Sequence, residues 1–225
     1  GDMEISTYYN DKGTGAVEVN CCGGIVCGEI NLTEEHLWEV GKGRLYDVEI
    51  KFGDDNVKSY FGLRTVRMDG MKFMLNNKSV FQRLVLDQGF YIDGIYTAPT
   101  DEDMINDIQI SLDAGFNGAR LHEKVFESRF LYHCDRLGYL VWGEYPNWGL
   151  DYSDEANLAP YLKQWAESVK RDFNHPSVIG WCPFNETWDY GGRRQWNPLI
   201  ATVYYATKIM DPTRPCIDTS GNYHV

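Results

Sequence analysis

The sequence lacks any long apolar run, and this absence excludes several kinds of protein. A membrane-spanning helix needs roughly 20 consecutive apolar residues, and no segment of the 225 residues approaches that length. The N-terminus also lacks the basic and then apolar pattern of a signal peptide. We therefore expect no membrane partner.

Positive charge is scarce. The chain has 21 Lys and Arg residues against 33 Asp and Glu residues, which gives a formal net charge of −12. A surface of this sign repels nucleic acid and anionic membranes, so neither is expected as a partner. A glycine-rich phosphate loop with its lysine and the Gly-x-Ser-x-Gly motif of serine hydrolases are both missing. The sequence therefore does not predict a nucleotide-binding protein or a serine hydrolase.

The six cysteines do not form a disulfide or zinc pattern. Cys21, Cys22 and Cys27 are the one cluster, and no second pair or histidine stands at zinc-ligand spacing from them. We interpret them as buried strand thiols, and Cys134 and Cys182 as small core residues. We expect no metal and no cofactor. Scattered free thiols favour a reducing compartment such as the cytoplasm.

The first 70 residues have the pattern of β structure. Residues 48–52 alternate apolar and polar side chains, a turn follows at residues 53–56, and a second strand is predicted from Val57 to about Met68. The pair Asn76-Asn77 stands between two apolar segments and predicts a hairpin turn. A complete sandwich needs about seven strands. We therefore expect residues 1–70 to form part of a β-sandwich.

From about Gln82 the pattern changes to apolar strands that alternate with amphipathic helices. Thr100 with Asp103 resembles a capping box, and Gly115 and Gly138 end helices. Such units imply parallel strands with right-handed crossovers. The sequence permits an open doubly wound sheet or part of a (β/α)8 TIM barrel. The first three predicted strands are residues 83–87, 118–121 and 139–142. The fourth is the apolar run of about six residues that begins at Val178, and a fifth strand is predicted to start at residues 216–218.

The segment Val178–Trp188 is the most informative one. A buried apolar strand ends abruptly in Asn185-Glu186, at the position where (β/α)8 barrels carry catalytic groups. We expect the apolar strand and its aromatic neighbours to desolvate Glu186. The simpler interpretation is that Glu186 only caps the following loop.

Polar and aromatic residues follow every predicted strand, and parallel strands gather them at one end of the sheet. Carboxylates, a guanidinium, an imidazole and aromatic rings together suit a neutral polyhydroxylated substrate, because paired acids do proton and covalent work and rings stack on sugar C–H groups. Asp218 and Asn222 follow the fifth strand. The predicted site residues are Asp87, Arg120, His122, Glu144, Trp148, Asn185, Glu186 and Trp188.

Several of these residues have a second interpretation. Arg120 could be an ion-pair partner inside the barrel, and His122 could orient a neighbour rather than touch substrate. Glu144 could belong to a surface loop. His175 precedes the fourth strand at the opposite end, where residues serve stability.

Taken together, the motifs resemble glycoside hydrolase family 2, the group of β-galactosidases, β-glucuronidases and β-mannosidases. The resemblance covers nearly the whole chain from about residue 30. The segments that carry it are Trp38 to Tyr46, Phe61-Gly62-Leu63-Arg64, Phe73-Met74-Leu75-Asn76, Asn117-Gly118-Ala119-Arg120-Leu121-His122, Asp135-Arg136-Leu137-Gly138, Asn174-His175-Pro176-Ser177-Val178 and Phe184-Asn185-Glu186.

The resemblance implies a fold and a chemistry. Residues 1–70 would be a partial immunoglobulin-like β-sandwich, and residues 71–225 would be strands one to five of a TIM-barrel catalytic domain. The reaction would be retaining hydrolysis of β-glycosides, galactosides among them, without a cofactor. Glu186 resembles the general acid/base and Asn185 the contact to the sugar 2-hydroxyl. Arg120 resembles the arginine near the nucleophile, and His122 the histidine of the site wall.

Two departures from the family bear on activity. The jelly-roll domain is missing, and the family's nucleophile is a glutamate on strand seven, whereas no glutamate follows Glu186 in this sequence. We therefore expect an incomplete fragment of a glycosidase that is inactive by itself. The alternative is a non-catalytic carbohydrate-binding or scaffold protein derived from such an enzyme. An open barrel edge exposes unpaired strand backbone, which would favour a homo-oligomer.

Overall fold

The computed structural model describes residues 1–21, 24–189, 191–221 and 224. The strands are β1 (Asp2–Tyr9), β2 (Lys12–Asn20), β3 (Tyr46–Phe52), β4 (Asp55–Phe61), β5 (Val66–Asp69), β6 (Lys72–Leu75), β7 (Lys78–Ser79), β8 (Leu84–Asp87), β9 (Gly118–Leu121), β10 (Leu140–Glu144) and β11 (Val178–Cys182). The helices are α1 (Asp101–Asp113), α2 (Ser128–Leu137), α3 (Leu158–Asp172) and α4 (Asn197–Met210), and a 3-10 turn covers Glu155–Asn157.

Four strands form one parallel sheet in the order β8-β9-β10-β11, which is also their order along the chain. Every neighbouring pair is parallel. The helices α1, α2 and α3 connect successive strands. The prediction of consecutive barrel-type βα units is therefore confirmed for four strands, and the described part of the barrel is open.

The fifth strand predicted to start at residues 216–218 is present only as its first parallel pairing with β11. Only an isolated parallel bridge joins Cys216 to Trp181. The Trp181 N–H donates to the Pro215 carbonyl at 3.1 Å, and the Ile217 N–H donates to the Trp181 carbonyl at 2.9 Å. Pro215 has no N–H to extend this ladder on its N-terminal side, and Pro183 has none to extend it on the other side, so the pairing covers one residue.

Local signals in the sequence account for the helix ends. The Thr100 side chain accepts from the Asp103 N–H, and the Asp103 carboxylate accepts from the Thr100 N–H, which completes the capping box of α1. Gly138 adopts the left-handed conformation that ends α2, with φ at 72°. Pro198 occupies the first turn of α4, where a missing N–H costs nothing.

The N-terminal part is antiparallel. One sheet has the order β2-β1-β3-β4, and a second has the order β5-β6-β7. Asn76 and Asn77 have φ angles of 49° and 62°, so the hairpin turn predicted there is confirmed. The β5–β6 hairpin crosses residue 70. The immunoglobulin-like class and a domain boundary at residue 70 stay predictions.

The predicted strand from Val57 to Met68 is wrong, because the structure divides it at Gly62. A Cβ on Gly62 would lie 2.7 Å from the Pro176 ring, so the chain packs closely against the barrel at this point. Arg64 then donates to the carbonyls of Pro176 at 3.0 Å and Val178 at 2.8 Å. These contacts draw the chain away from the first sheet.

A shared apolar cluster joins the small sheet to the amino end of the parallel sheet. Trp38 is fully buried there, and its indole N–H donates to the Asp135 carbonyl at 2.7 Å. The other buried members are Val66, Phe73, Leu75, Leu140, Trp142 and Ile179.

The cysteine prediction is confirmed in part. Cys134 and Cys182 are buried, as expected, but Cys21 is half-buried and Cys27 is exposed. Both follow the end of β2, where Gly24 with φ at 78° does not continue an extended strand. Cys22 lies outside the described residues. Among the described residues, three or more metal-ligating side chains nowhere come together, and none of the helices there is long and apolar enough to cross a membrane.

Candidate active site

The strand β11 is a rigid support for the residues that follow it. All five of its residues are buried. Phe184 stacks on Tyr161 of α3 with ring centroids 4.7 Å apart, and the Tyr161 hydroxyl donates to the Pro183 carbonyl. Packing on both sides of the chain therefore determines where Asn185 and Glu186 emerge.

Asn147, in the loop after β10, holds the backbone of Asn185. The Asn185 N–H donates to the Asn147 side-chain oxygen at 2.8 Å, and the Asn147 side-chain amide donates to the Asn185 carbonyl at 2.6 Å. Ser220 supports the next residue, because its hydroxyl accepts from the Glu186 N–H at 3.0 Å. Two loops thus keep the Asn185-Glu186 segment in place.

Arg120 joins the ends of three strands. Its Nε donates to the Glu144 carboxylate, and a terminal guanidinium nitrogen donates to the Asn185 side-chain oxygen at 2.5 Å. Burial opposes the charge of Arg120, but the bond to Glu144 and the negative charges of Glu144 and Glu186 raise the Arg120 pKa. The structure therefore brings the predicted residues Arg120, Glu144, Asn185 and Glu186 together.

Glu144 is a partner of Arg120 rather than part of a surface loop. Its side chain is fully buried, and its second carboxylate oxygen accepts from the Glu123 N–H at 3.2 Å. Both oxygens are therefore occupied by protein donors, which suits a residue that positions Arg120. The substrate contact assigned to Glu144 stays a prediction.

Glu186 departs from one expectation. We expected its strand to desolvate it, but its side chain is exposed. The buried strand ends at Cys182, and Glu186 has a φ of 33°, so the chain has already turned out of the sheet. The carboxylate is thus accessible from solvent at the carboxyl end of the strands.

The remaining predicted residues surround this centre. The His122 ring nitrogen Nδ1 lies 3.1 Å from the Gln88 side-chain amide, and the ring meets Trp148 edge-on with centroids 6.1 Å apart. Trp148 is 65% exposed and Trp188 is 47% exposed, so both rings are accessible.

Asp87 ends β8 and accepts from the Gly89 N–H at 2.8 Å. Burial raises its pKa, the nearby charge of Asp107 adds to this effect, and the Gly89 N–H opposes it. A partly buried carboxyl group with a raised pKa is typical of a functional site.

Sequence reasoning missed Glu123, Asn147 and Ser220. Glu123 directly follows a predicted site residue, and Asn147 directly precedes Trp148. A wider search of the residues that flank each strand end would have included both. Ser220 stands beside the fifth strand prediction, near Asp218. Asn222 lies outside the described residues.

A large cavity lies beside this cluster, and Glu186 is not among the residues that line it. It has a volume of about 880 Å³, and it shares His122, Glu123 and Trp148 with the site. Residues of α3, among them Gln164 and Arg171, form its outer wall. Asn185 and Glu186 do not line this cavity. We therefore place the candidate active site at the strand ends, around these two residues, and not in the cavity.

Comparison with known proteins agrees with this geometry. The family model described as "Glycosyl hydrolases family 2, TIM barrel domain" matches residues 66–223. The chain belongs to glycosyl hydrolase family 2.

Individual relatives include two kinds of β-glycosidase. A β-glucuronidase of Streptococcus agalactiae is 28% identical over 207 residues, which cover 81% of this chain and 34% of that protein. A β-galactosidase of Leuconostoc mesenteroides is 29% identical over 213 residues, which cover 85% of this chain and 19% of that protein. The chain therefore spans about a third or less of the length of these relatives.

Solved structures show the same fold. The β-D-glucuronidase of Dictyoglomus thermophilum matches 96% of this chain and 39% of its own with a TM-score of 0.81 at 23% identity. The β-glucuronidase 3 of Bacteroides uniformis matches 96% of this chain and 29% of its own, also with a TM-score of 0.81, at 22% identity.

Proposed function

We propose that this chain carries the acid/base part of a retaining β-glycosidase active site. Glu186 protonates the leaving oxygen and then, as a carboxylate, activates the water that attacks the glycosyl-enzyme intermediate. Asn185 contacts the sugar 2-hydroxyl. The observation that supports this proposal is the position of Asn185-Glu186 at the carboxyl end of β11, where Arg120 and Asn147 hold Asn185.

The substrate class is a β-glycoside, and we favour a β-galactoside-like substrate. The relatives named β-glucuronidase and β-galactosidase are 28% and 29% identical to this chain. These values do not separate the two specificities. Aryl β-galactosides and aryl β-glucuronides should therefore both be assayed.

The second carboxylate of a retaining mechanism lies about 5 Å from the first. Glu144 is committed to Arg120 and the Glu123 N–H, and the sequence has no glutamate after Glu186. We therefore propose that this 225-residue chain alone does not hydrolyse glycosides. The nucleophile would come from barrel strands other than these.

The test uses Glu186→Ala in a polypeptide that joins this chain to barrel strands bearing the second carboxylate. A dinitrophenyl glycoside needs little proton assistance, whereas a methyl glycoside needs much. We expect the first step to survive with the dinitrophenyl substrate and to fall by about 100-fold or more with the methyl substrate. Azide needs no general base, so it should restore turnover and give a β-glycosyl azide.

Glu102→Ala is the matched control, because Glu102 is an exposed glutamate on α1. It should leave both substrates unchanged. Equal losses for good and poor leaving groups, without rescue by azide, would remove Glu186 from the acid/base role.

A non-catalytic carbohydrate-binding protein is the second candidate. The exposed rings of Trp148 and Trp188 favour it, since an aromatic face binds sugar without any acid. Binding of a β-glycoside by the joined polypeptide without any hydrolysis would support this candidate over the enzyme.

A further inference from the structure

We propose that a basic cleft at the amino end of the barrel strands binds a phosphate group, either free or carried by a small molecule. The basic cleft lies between the first sheet and α2, and Lys42, Arg44, Lys58 and Arg136 are among the residues that line it. Glu186 follows β11 at the opposite end of the strands. The inference therefore does not rest on the proposed function.

Three parts of the chain form the walls of the basic cleft. The strands β1, β3 and β4 give the first wall, residues 42–45 the second and α2 the third. These walls are in close contact, because a Cβ on Gly43 would lie 2.1 Å from the Arg136 carbonyl oxygen. The rings of Tyr60 and Tyr132 also meet edge-on with centroids 5.2 Å apart. The cleft has a volume of about 460 Å³ and is built into the packing of the first sheet on the barrel.

Positive charge is concentrated in this cleft, against the sign of the whole chain. The net charge of the chain is −12, but among the described residues that line the cleft four are cationic and only Asp47 is acidic. Lys42 and Arg44 lie 3.5 Å and 3.7 Å from the Glu39 carboxylate, and Lys78 lies 3.2 Å from its other oxygen. Because three cations share this one carboxylate, Glu39 leaves most of their charge uncompensated.

The other two cations of the cleft are also incompletely neutralised. Lys58 stands opposite Glu49 in the β3–β4 ladder, but Lys51 lies 3.5 Å from that same carboxylate. Arg136 is in the last turn of α2, whose terminal carbonyls attract a cation, and its guanidinium lies 3.4 Å from a His133 ring nitrogen. Burial lowers the His133 pKa, so this neighbour adds no positive charge at pH 7. Lys58 and Arg136 are exposed and can turn toward a ligand.

A phosphate group matches this set of donors. It carries a charge of about −1.5 to −2 at pH 7 when it is part of a monoester, and four cations favour such a charge over that of a single carboxylate. Arginine presents planar pairs of N–H groups to phosphate oxygens, and lysine adds a point charge. Ser59 and Tyr132 bring hydroxyl groups to the same cleft. The cleft has the size of a small-molecule site, so it has room for a molecule that carries the phosphate.

The experiment titrates the ¹⁵N-labelled chain with sodium phosphate, glucose 6-phosphate and sodium acetate at constant ionic strength, followed by NMR. Partly exposed charge pairs are individually weak, so we expect a Kd of about 1 mM for the phosphate compounds. Saturable shifts should appear in the backbone amides of residues 42–45, 58–60 and 136. Acetate carries one charge and should bind at least about tenfold more weakly.

Lys58→Gln combined with Arg136→Gln should weaken phosphate binding about tenfold, and Lys58→Gln alone about threefold. The matched control is Arg67→Gln combined with Lys72→Gln, which removes the same charge from the exposed β5–β6 hairpin outside the cleft. The control should leave binding unchanged. Circular dichroism establishes that each variant is folded.

The comparison of the two phosphate compounds identifies the form of the ligand. Tighter binding of glucose 6-phosphate would show that the cleft takes a phosphate ester, and equal binding would show that the free anion suffices. Equal weakening in the double variant and in its control would show a general effect of charge and would overturn the proposal. Acetate binding as tight as that of phosphate, or no saturable shift at tens of millimolar phosphate, would overturn it as well.

Discussion

The polar groups at the two ends of the parallel sheet differ in their access to solvent. At the amino end, the Asp135 carboxylate is fully buried and all its bonds are made: one oxygen accepts from the Ser177 N–H at 2.9 Å, and the other from Tyr60 at 2.8 Å and His175 at 2.6 Å. At the carboxyl end, Arg120 joins the buried Glu144 carboxylate to the Asn185 side chain, and the neighbouring Glu186 side chain is exposed.

The difference separates stability from function. A buried carboxylate with complete bonding joins three parts of the chain, since Tyr60 comes from β4, Asp135 from α2 and His175 from the loop before β11. The exposed Glu186 side chain is within reach of a ligand, whereas the Asp135 carboxylate is not. This division agrees with barrels, in which one end serves stability and the other catalysis.

The largest predicted effect is at the amino end. Asp135→Ala leaves the Tyr60 hydroxyl, the His175 ring and the Ser177 N–H without their acceptor. We expect a loss of about 3–5 kcal/mol in the free energy of unfolding, measured with urea. Asn185→Ala, the matched change at the other end, should cost less than half as much. Equal losses would show that the two ends do not differ in this respect.

A second effect at the amino end depends on pH. Burial alone would raise the pKa of Asp211, but the Thr213 hydroxyl, Arg214 and the Trp181 indole outweigh it and lower the pKa to about 2. The folded pKa lies below the ordinary value of 3.8, so this stability is present above pH 4 and is lost as the pH falls through 2.

Asp211→Asn should remove that contribution, which is about 2 kcal/mol at neutral pH. Urea unfolding at pH 7 and at pH 3 measures it, and the difference between wild type and variant should shrink at the lower pH. A difference that does not depend on pH would contradict the assignment.

How far the sequence predicts the fold depends on the range of the contacts. Thr100 with Asp103 and the strand Gly118–Leu121 were predicted at their observed positions, because caps and apolar runs are local signals. The break at Gly62 depends on Pro176, more than a hundred residues away. Such a contact leaves no periodic pattern in the sequence.

The site shows the same limit. Parallel strands gather the residues at their carboxyl ends along one edge of the sheet, and this rule predicts that Arg120, Glu144 and Asn185 lie together. The structure connects the three side chains directly. The rule says nothing about loops, so it missed Asn147 and Glu123. It also failed for the burial of Glu186, because solvent exposure depends on the direction of the chain after the strand.

The smallest predicted effect on stability is that of Asp87, at the carboxyl end. Its pKa shift has the opposite sign from that of Asp211. The pKa of Asp87 is raised, chiefly by burial, so its contribution to stability is present below the ordinary pKa and lost as the pH rises through the folded value. Asp87→Asn keeps the acceptor for the Gly89 N–H and should slightly raise the melting temperature at pH 7. A lower melting temperature at pH 7 would mean that the ionised form is stabilising.

The most direct test of the central claim, a sugar site at the carboxyl end of the strands, is an NMR titration of the ¹⁵N-labelled chain with methyl β-D-galactopyranoside. Trp148 and Trp188 are exposed at that end, whereas Trp38 is fully buried at the other end and bonded to Asp135. We predict shifts in the indole signals of Trp148 and Trp188 and in the side-chain amide of Asn185, with Trp38 unchanged. Shifts concentrated at Trp38, or no shifts at any of these groups, would contradict the account.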